Sequence, residues 1–157
     1  MHKNLDMRDD TLDHPEVKAL LNDHYELSVA MSPVGKAHVY SADRLEQGDI
    51  TFWSFWRAGV LRGVGALQRL SSTMGELKSM HVAQASRRQG IGAAIVHCLE
   101  DQARRLGFTQ LYLETGANAY FAPARRLYQN SGFFPCGPFS SYKDDCDSVY
   151  MYKVIRS

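Results

Sequence analysis

Apolar residues recur at two different periods along this chain, and each change of period marks the end of a helix or a strand. Between Pro15 and Ala30 the period is helical, with apolar side chains at Val17, Leu20, Leu21 and Leu27. Asp13 and Glu16 have the spacing of an N-terminal capping box. The pattern therefore predicts a helix over residues 15–30 that begins at a cap formed by Asp13.

Apolar residues at helical spacing also follow Gly90 and predict a longer helix. We expect this helix to end before Gly107, because glycine is favoured just after the C-terminus of a helix. Its apolar positions are Ile91, Ile95, Cys98, Leu99, Ala103 and Leu106. Two shorter helices are predicted over residues 41–46 and 123–131.

Runs rich in β-branched and aromatic residues, separated by turns that contain glycine, predict the strands. They span residues 50–57, 60–70, 76–82, 111–115, 133–136 and 148–155, with a short first strand within residues 2–7. Short turns join the first three long strands into an antiparallel meander, whereas the long helix is a crossover that favours a parallel pair. The sequence predicts a mixed α/β sheet with an antiparallel meander, a central parallel pair and antiparallel closing strands.

The composition is that of one folded domain over residues 1–157, and it limits the classes of partner that the protein is expected to bind. The formal net charge is +1, so we expect no nucleic-acid surface and no anionic-membrane surface. No apolar run approaches the ~20 residues that cross a bilayer, and the first residues lack the apolar core of a secretion signal. Three cysteines at unrelated spacings favour reduced thiols, and the histidines lack metal-site spacing, so we expect a cytoplasmic protein that binds no metal.

Arg87 and Arg88 precede Gly90 and Gly92 at the junction between a predicted strand and the long helix. The first turn of a helix presents backbone N–H groups without partners, and the helix dipole favours an anion there. Glycines remove the Cβ atoms that would keep a phosphate away from these donors. This stretch therefore predicts a pocket for a phosphate-bearing cofactor.

The spacing of the glycines selects among the known phosphate loops. A dinucleotide fingerprint needs a third glycine where Ile95 stands, and a mononucleotide loop needs Gly-Lys-Ser/Thr, which the chain lacks. The remaining pattern is Arg-x-x-Gly-x-Gly, from Arg87 to Gly92. It resembles the acyl-CoA pyrophosphate loop of the GNAT superfamily of N-acetyltransferases.

A second motif supports this resemblance. The stretch from Ala124 to Phe133, Ala-Arg-Arg-Leu-Tyr-Gln-Asn-Ser-Gly-Phe, is similar to a helix and strand of the family that usually read Asn-x-x-Ala-x-x-Leu-Tyr-x-x-x-Gly-Phe. Gly-Glu-Leu-Lys-Ser-Met and Leu-Glu-Thr-Gly are also similar to YsnE-like bacterial acetyltransferases. The resemblance implies the acyl-CoA N-acyltransferase fold, with the parallel pair splayed around the cofactor, and acetyl-CoA as that cofactor.

The resemblance also implies which residues bind the cofactor. Backbone groups of Met80 and Val82, on either side of His81, would pair with the pantetheine arm, and a local bulge would orient the thioester carbonyl. The pyrophosphate would be held by Arg87, Arg88, Gln89, Gly90, Ile91, Gly92 and Ala93. The helix on the other side would contribute Phe121, Ala124 and Tyr128. Phe121 departs from the family, which usually has asparagine there, and can offer only apolar contact.

Acetyl transfer to an amine needs a proton acceptor and a proton donor. An amine with pKa ~10.4 is mostly protonated at neutral pH, and a thiolate with pKa ~8.5 must leave. Tyr128 matches the family position of the acid. Glu76 matches the strand position where GNAT histone acetyltransferases carry a glutamate base, and Glu114 on the neighbouring strand is a second candidate. A chain of water molecules is the alternative to a single base.

Strand alternation places the side chains around this site. On an ideal strand Glu76 shares a face with Lys78 and Met80, and the side chain of His81 lies on the opposite face and has a structural role. Either Arg125 or Arg126 is a candidate to reach the outer phosphate of the cofactor. Three residues with reactive or aromatic side chains are interpreted as core instead: Trp53, Trp56 and Cys98.

The leading hypothesis is an N-acetyltransferase that acts on a primary amine of a small molecule or amino acid, by direct attack in a ternary complex. The alternatives are a non-catalytic acyl-CoA-binding sensor and a protein-lysine acetyltransferase. The wall that binds the acceptor would come from residues 31–57 and 137–147, which contain no recognisable motif. Antiparallel edge strands and exposed aromatic residues make a homodimer possible.

Overall fold

The computed structural model describes residues 5–9 and 11–156. Its helices are α1 (Pro15–Met31), α2 (Ala42–Leu45), α3 (Ile91–Arg105) and α4 (Ala122–Asn130). Its strands are β1 (Asp6–Arg8), β2 (Ile50–Arg57), β3 (Val60–Arg69), β4 (Met74–Val82), β5 (Gln110–Gly116), β6 (Phe134–Cys136) and β7 (Ser148–Val154). The predicted elements are confirmed, with ends that shift by one or two residues. The first strand, predicted within residues 2–7, spans Asp6–Arg8 in the described residues, and residues 2–4 of that prediction lie outside them.

These strands form one mixed sheet in the order β1-β2-β3-β4-β5-β7-β6. All neighbouring strands are antiparallel except β4 and β5, which are parallel. The predicted meander, parallel pair and antiparallel end are therefore confirmed.

The parallel pair separates soon after it forms. Its register runs from Met74 opposite Gln110 to Glu76 opposite Tyr112, and no pairing follows. Beyond that point the remaining residues of β4 and β5 diverge and leave a wedge-shaped gap in the middle of the sheet. The gap leaves backbone groups of β4 without a strand neighbour on that side.

A β-bulge interrupts β4 beside this gap. Val64 of β3 pairs with His81, whereas Ala66 pairs with Lys78, so β4 contains one extra residue. Ser79 lies in this bulge with a φ of 54°. The extra residue reverses the alternation of side chains along the rest of the strand.

The bulge makes two predictions about side-chain faces wrong. Met80 packs with Leu77 against the cluster beneath α3, so it does not share a face with Glu76. His81 contacts His24 of α1, which covers the other face of the sheet, the face of Lys78. Simple alternation fails here because it counts every residue of β4 as one step of a regular strand.

Two hydrophobic clusters cover the two faces of the sheet. One lies beneath α3 and α4 and contains Phe55, Leu67, Ile95, Leu99, Leu111 and Met151. The other lies beneath α1 and α2 and contains Val17, Leu21, Leu45, Phe52, Val64 and Ala66. Trp53 belongs to the first cluster, Trp56 belongs to the second, and Cys98 packs against the first, which confirms their assignment to the core. Within the described residues, no helix combines the length and the apolar character needed to cross a bilayer.

The cap of α1 differs from the predicted one. His14 is the N-cap residue, and its Nδ1 accepts a hydrogen bond from the backbone N–H of Glu16 at 3.2 Å. Asp13 lies one position too early because the helix begins at Pro15, and its carboxylate contacts Lys18 at 3.7 Å instead. The prediction that Asp13 caps this helix is therefore wrong.

We expect Gly63→Ala to destabilise the protein, because α3 lies directly on this position of β3. A Cβ on Gly63 would lie 2.6 Å from Cδ1 of Ile95 and 2.8 Å from the backbone oxygen of His81. The loss in free energy of unfolding should be about 1–3 kcal/mol, measured by urea denaturation. Gly48→Ala is the matched control, since a Cβ on Gly48 meets no atom within 4 Å. Equal stabilities of the two variants would contradict this close packing.

Candidate active site

The backbone N–H groups of residues 88–93, at the N-terminus of α3, are free donors, and we call this segment the mouth of α3. Gly90 is its N-cap residue, and the first intrahelical hydrogen bond runs from the N–H of Ala94 to the carbonyl of Gly90 at 3.1 Å. In the described chain, the N–H groups of residues 88–93 have no hydrogen-bond partner. Arg87 and Arg88 are exposed beside them. Free donors, a helix dipole and two guanidinium groups together can bind a phosphate or diphosphate.

The two glycines of this mouth serve different purposes. Gly90 has a φ of 75°, a left-handed conformation that costs other residues about 1–2 kcal/mol, and a Cβ there would meet no atom within 4 Å. A Cβ on Gly92 would instead lie 3.0 Å from Cδ2 of Leu127 on α4. Gly90 therefore shapes the turn, and Gly92 lets α4 approach α3.

One cavity of about 620 Å³ extends from this mouth along the gap between β4 and β5. Its wall contains most of the site residues that the sequence predicted: Met80, His81, Val82, Arg87, Arg88, Gly90, Ile91, Gly92, Ala93, Phe121, Ala124 and Tyr128. Gln89 and Glu76 do not line it. Gln89 points along the loop, where its Nε2 donates to the carbonyl of Ala85 at 3.4 Å.

Tyr128 of α4 lines this cavity. The residue is 8% exposed, and its ring packs edge-on against Phe133 of the core at 6.0 Å between centroids. Its hydroxyl makes no hydrogen bond to any described residue. Burial raises the pKa of Tyr128 well above its usual range, and the charge of Glu114 acts in the same direction. The phenol therefore stays protonated across the neutral and alkaline range and can donate a proton or a hydrogen bond.

Phe121 lies at the end of β5, where its ring covers Gly116. A Cβ on Gly116 would collide with this ring, so glycine is required at that contact. Arg125 holds the same loop, because its Nη1 donates to the carbonyls of Gly116 at 2.6 Å and Asn118 at 2.8 Å. Arg125 is therefore occupied by backbone of its own chain, which leaves Arg126 as the candidate for the outer phosphate.

Glu76 does not line the cavity and is 3% exposed. Its Oε2 accepts a hydrogen bond of 2.6 Å from the hydroxyl of Tyr142 and lies 3.5 Å from Nζ of Lys78. Burial raises the pKa of Glu76, although Lys78 and Tyr142 act against this rise. Glu76 thus lies within a buried network with Tyr142 and Lys78, and of these three residues only Lys78 lines the cavity.

Lys78 joins two loops above the sheet. Its Nζ donates to the carbonyl of His38 and to the hydroxyl of Tyr142, each at 3.0 Å, and lies 4.1 Å from the ring centroid of Tyr40. A second link between these loops lies nearer the surface, where Nζ of Lys36 contacts a carboxylate oxygen of Asp145 at 3.0 Å. From the two segments predicted to form the acceptor wall, the cavity is lined by Ser32, Pro33, Lys36, Ala37, His38, Val39 and Asp147.

Glu114, in contrast to Glu76, lines the cavity directly. Its Oε2 accepts a hydrogen bond of 2.7 Å from the hydroxyl of Ser148. Burial raises the pKa of Glu114, and this effect exceeds the lowering by Ser148 and Lys78. A carboxylate with a raised pKa that faces a cavity has the properties of a general base.

A pair of histidines forms another part of the wall. Nδ1 of His24 on α1 lies 3.2 Å from Nδ1 of His81 at the bulge. Burial lowers the pKa of His24 to about 3 and that of His81 to about 4, so both rings are neutral at physiological pH. No local sequence pattern indicates this pair, because its members are 57 residues apart.

Comparison with known proteins identifies the family. The model of the acetyltransferase (GNAT) family matches residues 15–133. The chain is 38% identical over 146 residues to the uncharacterized N-acetyltransferase YsnE of Bacillus subtilis, covering 93% of this chain and 97% of YsnE. It is 35% identical over 145 residues to the uncharacterized N-acetyltransferase YedL of Escherichia coli, covering 92% of this chain and 91% of YedL. It is also 35% identical over 124 residues to an IAA acetyltransferase of Azospirillum brasilense, covering 78% and 80%.

Solved structures support the fold. An acetyltransferase of Bacillus subtilis in complex with CoA superposes with a TM-score of 0.67 at 18% identity, covering 98% of this chain and 99% of that one. An acetyltransferase of Streptococcus agalactiae gives a TM-score of 0.73 at 19% identity, covering 97% and 99%. The family match over most of the chain agrees with two features of the structure, the gap between β4 and β5 and the free N–H groups at the N-terminus of α3. The protein is an acyltransferase that belongs to the GNAT family of N-acetyltransferases, in the branch that includes YsnE.

Proposed function

We propose that this protein transfers the acetyl group of acetyl-CoA to a primary amine of a small molecule or amino acid, by direct attack in a ternary complex. One observation carries the proposal: a single cavity is lined both by the residues with free N–H groups at α3 and by Tyr128, whose hydroxyl makes no hydrogen bond to any described residue. The Azospirillum brasilense relative is named an IAA acetyltransferase, which supports a small-molecule acceptor.

The fit of the cofactor rests on two features of the backbone. The free N–H groups of residues 88–93, with Arg87 and Arg88, would hold the pyrophosphate. The edge of β4 beyond Glu76 has no strand neighbour, so Met80 and Val82 would pair with the pantetheine arm as an added strand would. Phe121 would contact that arm through its ring alone. When bound, acetyl-CoA supplies the activated acetyl group.

Tyr128 is the proposed acid. Its hydroxyl would donate a proton to the sulfur that leaves, while the amine nitrogen forms its bond to the acetyl carbon. Because burial raises the pKa of Tyr128, its hydroxyl carries this proton at neutral pH. The hydroxyl makes no hydrogen bond within the described chain, so it is free to make this one.

Glu114 is the proposed base, in preference to Glu76. Both carboxyls have a raised pKa because they are buried, but only Glu114 lines the cavity. Glu114 would accept the proton that the ammonium group of the acceptor must lose before attack. Glu76 would instead keep Lys78 and Tyr142 in place, and so act as a positioning residue for the acceptor wall.

An amine panel separates this proposal from its alternatives. Thiol release is measured with acetyl-CoA and small amines, amino acids or lysine peptides. We expect release that depends on a small amine. Tight CoA binding without release would indicate a sensor, and release with peptides alone would indicate a protein-lysine acetyltransferase.

Tyr128→Phe tests the acid. We expect turnover to fall by about 10²-fold, because the proton donor is lost, while the Kd of acetyl-CoA changes less than about threefold. Tyr25→Phe, on the exposed side of α1, is the matched control and should leave both values unchanged. Unchanged turnover of Tyr128→Phe, measured at saturating acetyl-CoA, would remove Tyr128 from this role.

Gly90→Glu tests the pyrophosphate site. Gly90 and Gly59 have φ angles of 75° and 76°, and a Cβ on either meets no atom within 4 Å, so a glutamate strains the backbone equally at both positions. We expect Gly90→Glu to weaken CoA binding at least tenfold (~1.4 kcal/mol), because its charge repels the diphosphate, and Gly59→Glu to leave binding intact. Isothermal titration calorimetry measures both. Equal affinities would place the pyrophosphate elsewhere.

Glu114→Gln should lower kcat/KM by about 10²-fold at pH 7. In the wild type, activity should fall as pH drops through the raised pKa of Glu114, because the protonated carboxyl accepts no proton. A raised pKa also means that the ionised form costs folding free energy at neutral pH, so Glu114→Gln should have a higher Tm than wild type. This gain should disappear below pH ~4.3, where the carboxyl is neutral in both states.

Glu76→Gln is the matched variant for this comparison. Burial raises the pKa of Glu76 as well, so loss of its charge should also raise the Tm, whereas kcat should fall less than in Glu114→Gln because Glu76 does not line the cavity. Loss of activity in Glu76→Gln without loss of stability, and full activity in Glu114→Gln, would reverse the two assignments.

A further inference from the structure

We infer that the acceptor carries a second cationic group besides the amine that reacts, and that diamines are its chemical class. Glu114 would face the reacting amine, and Asp147 would bind the distant ammonium group. This inference rests on the proposed function and specifies its substrate.

The cations at the acceptor end of the cavity are already compensated. Lys36 contacts Asp145 at 3.0 Å. Lys78 lies 3.5 Å from Glu76, and its other donors reach the carbonyl of His38 and the hydroxyl of Tyr142. Neither lysine is therefore free to bind an anionic group of the acceptor.

Two carboxylates in the cavity wall lack such a partner. Glu114 accepts one hydrogen bond from the neutral hydroxyl of Ser148. Asp147 makes no ion pair with any described residue, and its carboxylate lies within 4.8 Å of that of Asp145, which Lys36 already occupies. Partly buried carboxylates without a cation are costly, and a cationic ligand would relieve this cost.

Strand register brings these two carboxylates to the same end of the cavity. β5 pairs with β7 up to Gly116 opposite Ser148, and the N–H of Ala117 donates to the carbonyl of Asp147 at 3.0 Å. Ser148, which holds the carboxylate of Glu114, is the residue next to Asp147. The two acids therefore both line the cavity near the ends of β5 and β7 and are three residues apart along this pair of strands.

The remaining groups of the wall favour a donor-rich ligand. Ser79 is 7% exposed, and its hydroxyl has no hydrogen-bond partner although the residue lines the cavity. His24 and His81 are neutral, since their pKa values are lowered to about 3 and about 4. The wall thus combines an orphaned hydroxyl and neutral imidazoles with two negative charges, a set that suits ammonium groups.

Three amines of equal length test the inference: 1,4-diaminobutane, 1-aminobutane and 4-aminobutanoate. They end in a cation, a methyl group and a carboxylate. We expect kcat/KM to fall in that order, with the diamine at least about tenfold above the monoamine, beyond the twofold that two equivalent amino groups give. The advantage should appear in KM and shrink with added salt.

Asp147→Asn tests whether Asp147 binds the second ammonium group. We expect the ratio of kcat/KM for diamine over monoamine to fall at least about fivefold. Asp144→Asn removes the same charge from an exposed neighbour outside the cavity and should leave the ratio unchanged. Binding is measured separately, as the rise in Tm of CoA-saturated protein with each amine at constant ionic strength.

The outcomes separate this inference from the proposed function. Turnover of all three amines with equal kcat/KM, or an unchanged ratio in Asp147→Asn, would overturn the diamine assignment and leave the transferase intact. A selective rise in Tm with the diamine but no thiol release from any amine would support the subsite and overturn the proposed transfer. A preference for 4-aminobutanoate would overturn the charge assignment itself.

Discussion

The early separation of β4 from β5 is the constraint on which the site depends. Backbone N–H and C=O groups in a sheet need partners, yet the strands stop pairing after Glu76 and Tyr112. The sheet tolerates this because β3 and β7 hold the two strands from their outer sides. The unpaired edge, the bulge at Ser79 and the mouth of α3 then follow one another along the chain. In the proposed function, the gap would give the extended cofactor a strand to pair with, and the N-terminus of α3 would bind its phosphates.

Contiguous motifs made the cofactor side of the site predictable. The segment from Arg87 to Gly92 and the segment from Ala124 to Phe133 each occupy one strand-to-helix or helix-to-strand junction, so local spacing determines their geometry. The acceptor side is different, because its contacts join residues far apart in sequence. Tyr142 and Glu76 are 66 residues apart, and no local pattern indicates that they meet.

Alternation along β4 shows where simple periodicity fails. Counting by twos from Glu76 reaches Met80, but the extra residue at the bulge turns His81 to that face instead. From the sequence both Glu76 and Glu114 were plausible bases. Only the folded chain shows that Glu76 is buried in contact with Lys78 and Tyr142 and does not line the cavity, whereas Glu114 does.

Two links join the loops that contain His38 and Tyr142, one through Lys78 and one between Lys36 and Asp145. The first is buried and the second lies nearer the surface, so they differ in their sensitivity to dissolved ions. Lys78 is 6% exposed, so dissolved ions screen its contacts weakly. The side chain of Lys36 is 44% exposed, and its contact with Asp145 weakens as ionic strength rises. A rise in ionic strength therefore weakens the link at the surface and leaves the buried contacts of Lys78, nearer the base of the cavity, almost unchanged.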